Sequence, residues 1–166
     1  MMHTVAVTGH MDLSPSSEAP VAAELRALLE ALVAEGGGEP LYGLSCLAPG
    51  ADTLFAEAVL DTGGELEVVL PFHDYGACFA DPLERARFDH LLKSAITVAE
   101  MPYSGPELAA FEAANTELVK RADLLVAVWN GRPSEKGGGT AAAVAEAHRL
   151  GVPVRVVWPA GARRDG

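Results

Sequence analysis

The segment "DLLVAVWNGRPSEKGGGTAAAVAEAHRLGVPV", residues 123–154, decides the fold class of this 166-residue chain. It opens with a nearly continuous apolar run, which is typical of a strand buried on both faces of a sheet. A glycine turn at 137–140 then leads into an alanine-rich stretch that reads as a helix, and a further strand follows in "VPVRVVWP", residues 152–159. Strand, helix and strand in this order predict a right-handed crossover within a parallel sheet.

The same alternation runs through the rest of the chain. Short β-branched or apolar runs separated by helical stretches predict four more strands: "HTVAVTG" at 3–9, "PLYGLSCLA" at 40–48, "ELEVVLPF" at 65–72 and "AITVAEM" at 95–101. Alternating strands and helices indicate an α/β protein. We therefore predict a Rossmann-like three-layer sandwich, with a mostly parallel sheet of five to six strands and helices on both faces. Residues 1–160 are expected to form a single domain, and residues 161–166 a flexible tail.

Composition and charge narrow the classes of partner. The net charge of −11 argues against a duplex nucleic-acid partner or an anionic membrane surface, because both need clustered Lys and Arg. The N-terminus has no signal-peptide pattern and no apolar run is long enough to span a membrane, so a cytoplasmic location is expected. The two cysteines, Cys46 and Cys78, have no metal-like spacing. Neither a metal site nor a cofactor is expected.

The predicted fold indicates where a ligand would bind. In open parallel sheets, ligands bind beyond the carboxyl ends of the strands, where helix N-termini converge. The candidate ligand-binding residues at these ends, with one from a helix, are Thr8, Gly9, His10, Gly50, Asp52, Asn115, Trp129, Gly137, Gly138, Gly139 and Thr140.

The glycine turn is the strongest of these candidates. Consecutive glycines let the backbone approach a phosphate closely, and the N-terminus of the following helix offers free N–H donors. The alternative is a flexible turn in which Thr140 caps the helix, because no Lys-Ser/Thr pair follows the glycines. Both interpretations stay open from the residues alone.

The other candidates also have two interpretations. Asp52 either caps a helix that begins at Thr53 or acts chemically in the crevice. His10 is a loop residue or a hydrogen-bond donor to a ligand. Asn115 falls where a helix stripe should be apolar, so it either bonds backbone at the sheet edge or reaches the crevice. Trp129 either stacks on a base or closes the core.

Three segments together resemble the SLOG superfamily of Rossmann-like domains, which has LOG-like and DprA-like members. They are "VAVTGH" at 5–10, "LSCLAPGADTLFAEAVLDTGGELEVVLPF" at 44–72 and "RADLLVAVWNGRPSEKGGGTAAAVAEAHRLGVPV" at 121–154. The chain is most similar to bacterial members that begin with a Thr-Gly-His segment and carry a Trp-x-Gly-x-Pro stretch, here residues 129–133. The resemblance implies a nucleotide or ribose-phosphate ligand with its phosphate on the glycine turn. It also leaves a homodimer possible.

The same resemblance raises the question of catalysis. LOG enzymes hydrolyse an N-glycosidic bond with an acid that would fall at Ala143 and an arginine that would fall at Ala114. Because both positions are alanine, the first hypothesis is a binding module or sensor. The second is a phosphoribohydrolase-like or deoxyribosyltransferase-like enzyme with another acid, and its candidates are Asp52, Asp74, Glu135 and Glu146. A vestigial site in an interaction protein is the third.

Overall fold

The computed structural model of the protein describes residues 3–133 and 139–165. Its strands are β1 (Thr4–Gly9), β2 (Tyr42–Ser45), β3 (Glu65–Leu70), β4 (Thr97–Glu100), β5 (Leu124–Val128) and β6 (Val154–Val157). Its helices are α1 (Pro15–Glu35), α2 (Ala51–Asp61), α3 (Pro82–Ser94), α4 (Leu108–Arg121) and α5 (Gly139–Leu150), with a short 3₁₀ helix at Tyr75–Cys78. The candidate residues Gly137, Gly138 and Glu135 lie outside the described residues.

The six strands form one sheet in the order β4-β3-β2-β1-β5-β6, and every neighbouring pair is parallel. The predicted α/β class is therefore confirmed. From β1 the chain first adds strands on one side, to β4, and then returns to add β5 and β6 on the other side. The reversal places a topological switch point between β1 and β5, which is where open α/β sheets bind ligands.

Alternating side chains of the strands separate the two faces of the sheet. On one face, Val5 and Val7 of β1 pack with Val21 and Phe55 of α1 and α2. On the other face, Ala6 of β1 lies in a cluster with side chains of α4 and α5. Helix α3 packs beside α2 over β3, through a cluster that includes Phe88. Both faces of the sheet are thus covered, as predicted.

The segment predicted as a flexible tail is bound to the fold over residues 161–165. Arg164 forms an isolated antiparallel bridge with Leu13, and its guanidinium contacts the Asp12 carboxylate at 2.7 Å. The backbone N–H of Arg163 donates to the Ser17 hydroxyl at 2.9 Å. These contacts with the β1–α1 loop correct the expectation, since they give the segment fixed partners. The assignment of 1–160 to a single ligand-binding domain stays a prediction.

No helix among the described residues is long and apolar enough to cross a membrane. The cytoplasmic location stays a prediction.

Candidate ligand-binding site

A cleft of about 720 Å³ lies at the carboxyl ends of β1, β2, β3 and β5. Most of the predicted site residues that the structure describes line it: Thr8, Gly9, His10, Asp52, Asn115, Trp129, Gly139 and Thr140. Its volume falls within the range of about 300–1,000 Å³ that small-molecule sites usually have. The rule that ligands bind beyond the carboxyl ends of strands, the strand-end rule, therefore identified residues from distant parts of the chain that line one cleft. Their roles in binding stay predictions.

His10 follows β1 and is held in place by hydrogen bonds. Its backbone N–H donates to the Val128 carbonyl at 3.1 Å, and its Nε2 accepts the N–H of Asn130 at 3.2 Å. Burial, and then the nearby charge of Arg164, lower its pKa below the ordinary value. With Nε2 accepting, the proton of the neutral ring is assigned to Nδ1. His10 can therefore offer a donor without carrying charge.

The N-terminus of α2 is packed tightly against the loop after β1. Gly50 has φ of +82°, and a Cβ there would lie 2.7 Å from the carbonyl oxygen of His10. The N–H of Ala51 already donates to that same carbonyl at 3.2 Å. The described residues that line the cleft do not include Gly50. Its observed role is to let the backbone turn at a close approach.

Asp52 lies inside the first turn of α2, which begins at Ala51. The expectation that Asp52 caps a helix starting at Thr53 is therefore wrong. Its carboxylate instead accepts the N–H of Ala48 at 3.3 Å, in the loop before the helix. Asp52 is only 8% exposed, and burial raises its pKa to about 7 against the opposing effect of that hydrogen bond. An acid of this kind in a cleft can hold or release a proton near neutral pH.

The N-terminus of α5 forms the opposite wall. Gly139 has φ of +68°, and a Cβ added there would meet no atom within 4 Å. Thr140 is 8% exposed, and its hydroxyl makes no hydrogen bond to residues 3–133 or 139–165. This helix start thus has unoccupied space and an unused hydroxyl on the cleft side.

The loop after β5 has its own hydrogen bonds. Trp129 donates its indole N–H to the Arg132 carbonyl at 2.9 Å, and the Arg132 N–H donates to the Asn130 side chain at 3.0 Å. Trp129 is half-buried, so it neither closes the core completely nor stands free. Both of its predicted roles stay open, but the loop that carries it is ordered by these contacts.

Asn115 reaches the cleft rather than the sheet backbone. The buried stripe of α4 consists of Ala110, Ala114, Leu118 and Val119, and Asn115 is half-buried beside it. Leu108, at the start of the same helix, is 65% exposed and therefore does not belong to this stripe. The Asn115 amide makes no hydrogen bond within the part of the chain that the structure describes. It is thus free to contact a ligand.

Two other catalytic candidates lie away from the cleft. Asp74 is exposed, and its carboxylate is 3.9 Å from the His73 ring. Glu146 binds the guanidinium of Arg149, the shorter contact being 2.6 Å. Ala143, where the resemblance would place an acid, is buried, whereas Ala114 lines the cleft. Asp52 is therefore the one candidate acid of the described residues that reaches the cleft.

Sequence reasoning missed the aromatic side of the cleft. Tyr75 and Phe79, which belong to or follow the 3₁₀ helix, line it with Phe111 of α4. The rings of Tyr75 and Phe79 meet edge to face at 5.4 Å, and those of Tyr75 and Phe111 at 6.2 Å. A signal was present, because Phe72, Tyr75 and Phe79 are spaced three and four apart directly after a strand. Arg164 was also missed, since it falls in the predicted tail.

The described residues contain no group of three or more His, Cys, Asp or Glu side chains that could hold a metal ion.

No protein-family model and no curated protein matches this sequence. Solved structures do match in fold. The DNA processing protein A (DprA) of Streptococcus pneumoniae superimposes with a TM-score of 0.69 at 19% identity, over 96% of this chain and 52% of that one. DprA of Helicobacter pylori, described by its single-stranded DNA binding mode, gives 0.66 at 15% identity, over 96% and 67%. The molybdenum cofactor binding protein of Rippkaea orientalis gives 0.59 at 16% identity, over 96% and 78%.

These structures confirm the resemblance to DprA-like Rossmann-like domains as a likeness of fold. This chain spans about half the length of the S. pneumoniae protein. They also correct one expectation, that the acidic composition argues against a duplex nucleic-acid partner, because that expectation rested on net charge alone. A protein of the same fold is described as binding single-stranded DNA. Net charge sums the whole surface and does not describe one cleft, so the exclusion was wrong.

Proposed function

We propose that this protein binds a nucleotide or a nucleotide-derived ligand and that its ribose phosphate lies at the N-terminus of α5. The position of the cleft at the switch point between β1 and β5 carries this proposal. In this position the free N–H groups of the first turn of a helix face the ligand, and the helix dipole favours negative charge. Without turnover, such a site would serve as a sensor or binding module.

The groups around the α5 start are suited to an anion. Gly139 leaves space for close backbone approach, and the Thr140 hydroxyl can donate to a phosphate oxygen. Arg164 lines the same cleft and adds a positive charge, although it is shared with Asp12. An overall charge of −11 does not oppose binding here, because backbone donors act at short range.

The fold neighbours support a ligand-binding role in general terms. One is described as a molybdenum cofactor binding protein, and another by its binding of single-stranded DNA. The cleft volume of about 720 Å³ suits a ligand of the size of a nucleotide.

Thermal unfolding with AMP, GMP, CMP, UMP, NAD and ADP-ribose tests the proposal. A ligand at a hundredfold its dissociation constant stabilises the folded state by about 2.7 kcal/mol. Gly139→Asp should abolish the shift, because it places an anion where the phosphate must lie. Gly151→Asp is the matched control: Gly151 also has positive φ and open space, but it follows the other end of α5. A shift that persists in Gly139→Asp would show that the phosphate binds elsewhere.

The second candidate function is hydrolysis of an N-glycosidic bond. Asp52 favours it, as a buried carboxyl in the cleft with a pKa of about 7. A protonated Asp52 could donate its proton to the departing base while water adds to the sugar carbon, and the water's proton would restore the acid. This role needs no acid at Ala143.

Chromatography separates the two functions. We expect free base to accumulate from a nucleoside monophosphate only if the protein is an enzyme, and Asp52→Asn should then stop the release. Asp61→Asn, at the exposed end of the same helix, is the control. Binding without release of base assigns the protein to the first function. Release that continues in Asp52→Asn would exclude Asp52 as the acid.

A further inference from the structure

Tyr75 is a buried tyrosine with an unused hydroxyl. The residue is 6% exposed and lines the cleft. Its hydroxyl makes no hydrogen bond to any residue that the structure describes. The described residues contain no fully buried side-chain N or O atom without a partner, so this hydroxyl oxygen is open to the cleft, where a ligand can bind it.

The surroundings of Tyr75 show where its hydroxyl lies. Burial is the main cause that raises the pKa of Tyr75 above the ordinary value, and the ionised forms of Asp52, Cys46 and Cys78 would raise it further. All three of these residues also line the cleft. Among the described residues, the Asp52 carboxyl has a single hydrogen bond, which it accepts from the N–H of Ala48 over a long 3.3 Å. Tyr75 and Asp52 therefore both line the cleft, each with hydrogen-bonding capacity that the described residues leave unused.

Apolar surface encloses these two groups. Phe79 and Phe111 line the cleft beside Tyr75, and Leu108 is 65% exposed at its margin. Phe72 and Phe88 hold the Tyr75 ring from behind by edge-to-face contacts at 5.6 and 5.9 Å. An apolar wall with a small polar centre is suited to a flat ring that has polar atoms along one edge.

The aromatic end is separated from the α5 end by the width of several strands. Tyr75 follows β3 and Gly139 follows β5, and β2 and β1 lie between them. Three strand spacings amount to about 14 Å. A ligand that uses both ends must therefore be elongated, with an anion at one end and a flat ring at the other.

We propose that Tyr75 and Asp52 together bind the polar edge of a nitrogen heterocycle, the base of the nucleotide, against the wall formed by Phe79 and Phe111. The inference rests on the proposed function and deepens it by assigning the base to the β3 side of the cleft. The tyrosine hydroxyl donates or accepts, and the adjacent carboxyl supplies the second contact. Such a pair matches the neighbouring donor and acceptor atoms along the edge of a base.

Tyr75→Phe tests this inference directly. The change removes only the hydroxyl and leaves the ring contacts in place, and no protein group loses a partner. We expect the affinity for the best-binding nucleoside monophosphate to fall about tenfold, which is the loss of one or two good hydrogen bonds. Affinity for ribose 5-phosphate, which has no base, should stay the same. Tyr42→Phe is the matched control, because Tyr42 lies on β2 outside the cleft lining.

The two cysteines supply a second measurement of where the base lies. They are the only cysteines of the chain, so Cys46→Ala leaves Cys78 as the single thiol, exposed and next to Phe79. A saturating nucleoside monophosphate should slow alkylation of Cys78 by iodoacetamide severalfold, as followed by mass spectrometry. Ribose 5-phosphate at saturation should leave the rate unchanged.

The outcomes separate this inference from the proposed function. If nucleotides bind but Tyr75→Phe behaves like Tyr42→Phe, the base assignment is overturned and the proposed function stands. Equal protection of Cys78 by the nucleotide and by ribose 5-phosphate, or no protection by either, also overturns the assignment. If none of the probes binds to the unmodified protein, both proposals are overturned together.

Discussion

Helices α2 and α5 both begin after a glycine-containing stretch at the carboxyl edge of the sheet, yet their first turns differ in what they can hold. At α2, Gly50 is enclosed: a Cβ there would come within 2.7 Å of a backbone oxygen. At α5, a Cβ on Gly139 would meet nothing within 4 Å. One glycine makes room for the protein's own backbone, and the other leaves room for something else.

The side chains of the two first turns differ in the same way. Thr53 of α2 donates its hydroxyl to the Ala48 carbonyl at 2.8 Å, whereas Thr140 of α5 has no partner among the described residues. The α2 turn carries the acid Asp52, and the corresponding turn of α5 carries alanines. A helix N-terminus therefore suits an anion only where its donors and its space are still free. Among the described residues, α5 has open space at Gly139 and a Thr140 hydroxyl without a partner, which is why we propose it as the phosphate site.

Replacing the two glycines should give the largest difference. Gly50→Ala should lower the free energy of unfolding by about 4 kcal/mol, because it combines strain at positive φ with overlap against the His10 carbonyl. Gly139→Ala should cost about 1 kcal/mol, from the positive φ alone. Urea unfolding of both variants measures the difference. Equal losses would contradict the contrast between the closed and the open helix start.

The buried acid of α2 should make stability depend on pH. Asp52 has a pKa of about 7 in the folded chain and 3.8 as the ordinary value, so between these values the folded state holds the extra proton. The stability that comes from holding this proton is therefore present at low pH, and the free energy of unfolding falls as pH rises and the buried carboxyl ionises. The free energy of unfolding of Asp52→Asn, relative to that of the unmodified protein, should increase by about 2–3 kcal/mol from pH 5 to pH 8.

Urea unfolding at pH 5 and pH 8 checks this effect, and the difference between variant and parent removes the contribution of other titrating groups. Asp61→Asn is the control, because the Asp61 carboxylate is exposed and pairs with Arg26 at 3.5 Å. Its effect should be the same at both values of pH. An Asp52→Asn difference that does not change with pH would show that the carboxyl is ionised in the folded protein.

The contrast between α2 and α5 also shows what the sequence could and could not predict. Alternating apolar runs predicted the strands and helices, because period and burial are local properties. The strand-end rule then placed His10, Asp52 and Thr140 at one cleft, since it depends only on the order of elements. Whether a glycine is enclosed depends on which loop packs against it, and that contact joins residues 40 positions apart. The role of Tyr75 and the fixing of Arg164 likewise arise from contacts between distant segments.

Removing the hydroxyl of Thr53 should affect stability, whereas removing the hydroxyl of Thr140 should affect binding. Thr53→Val leaves the Ala48 carbonyl without its side-chain donor and should cost about 1 kcal/mol of stability, with ligand affinity unchanged. Thr140→Val should leave stability within about 0.5 kcal/mol and weaken phosphate-bearing ligands about fivefold. Urea unfolding and a titration with the best-binding nucleotide measure the two effects. A stability loss in Thr140→Val as large as that in Thr53→Val would show that the α5 hydroxyl has a structural partner.

Replacing Glu146 should have the smallest effect of these changes. It therefore tests whether the acid of α5 lies away from the cleft while the acid of α2 lies in it. Its carboxylate pairs with Arg149 one turn along α5, so Glu146→Gln should cost about 0.3–0.5 kcal/mol, as exposed helix pairs do. Nucleotide binding and any release of base should not change, because the side chain does not line the cleft. The same assays that detect a change in Asp52→Asn serve here. If Glu146→Gln lost a release of base that the unmodified protein shows, the acid role would be assigned to Glu146 of α5 instead of Asp52 of α2. The Glu146 carboxylate would then have to leave Arg149 before it could act on the substrate.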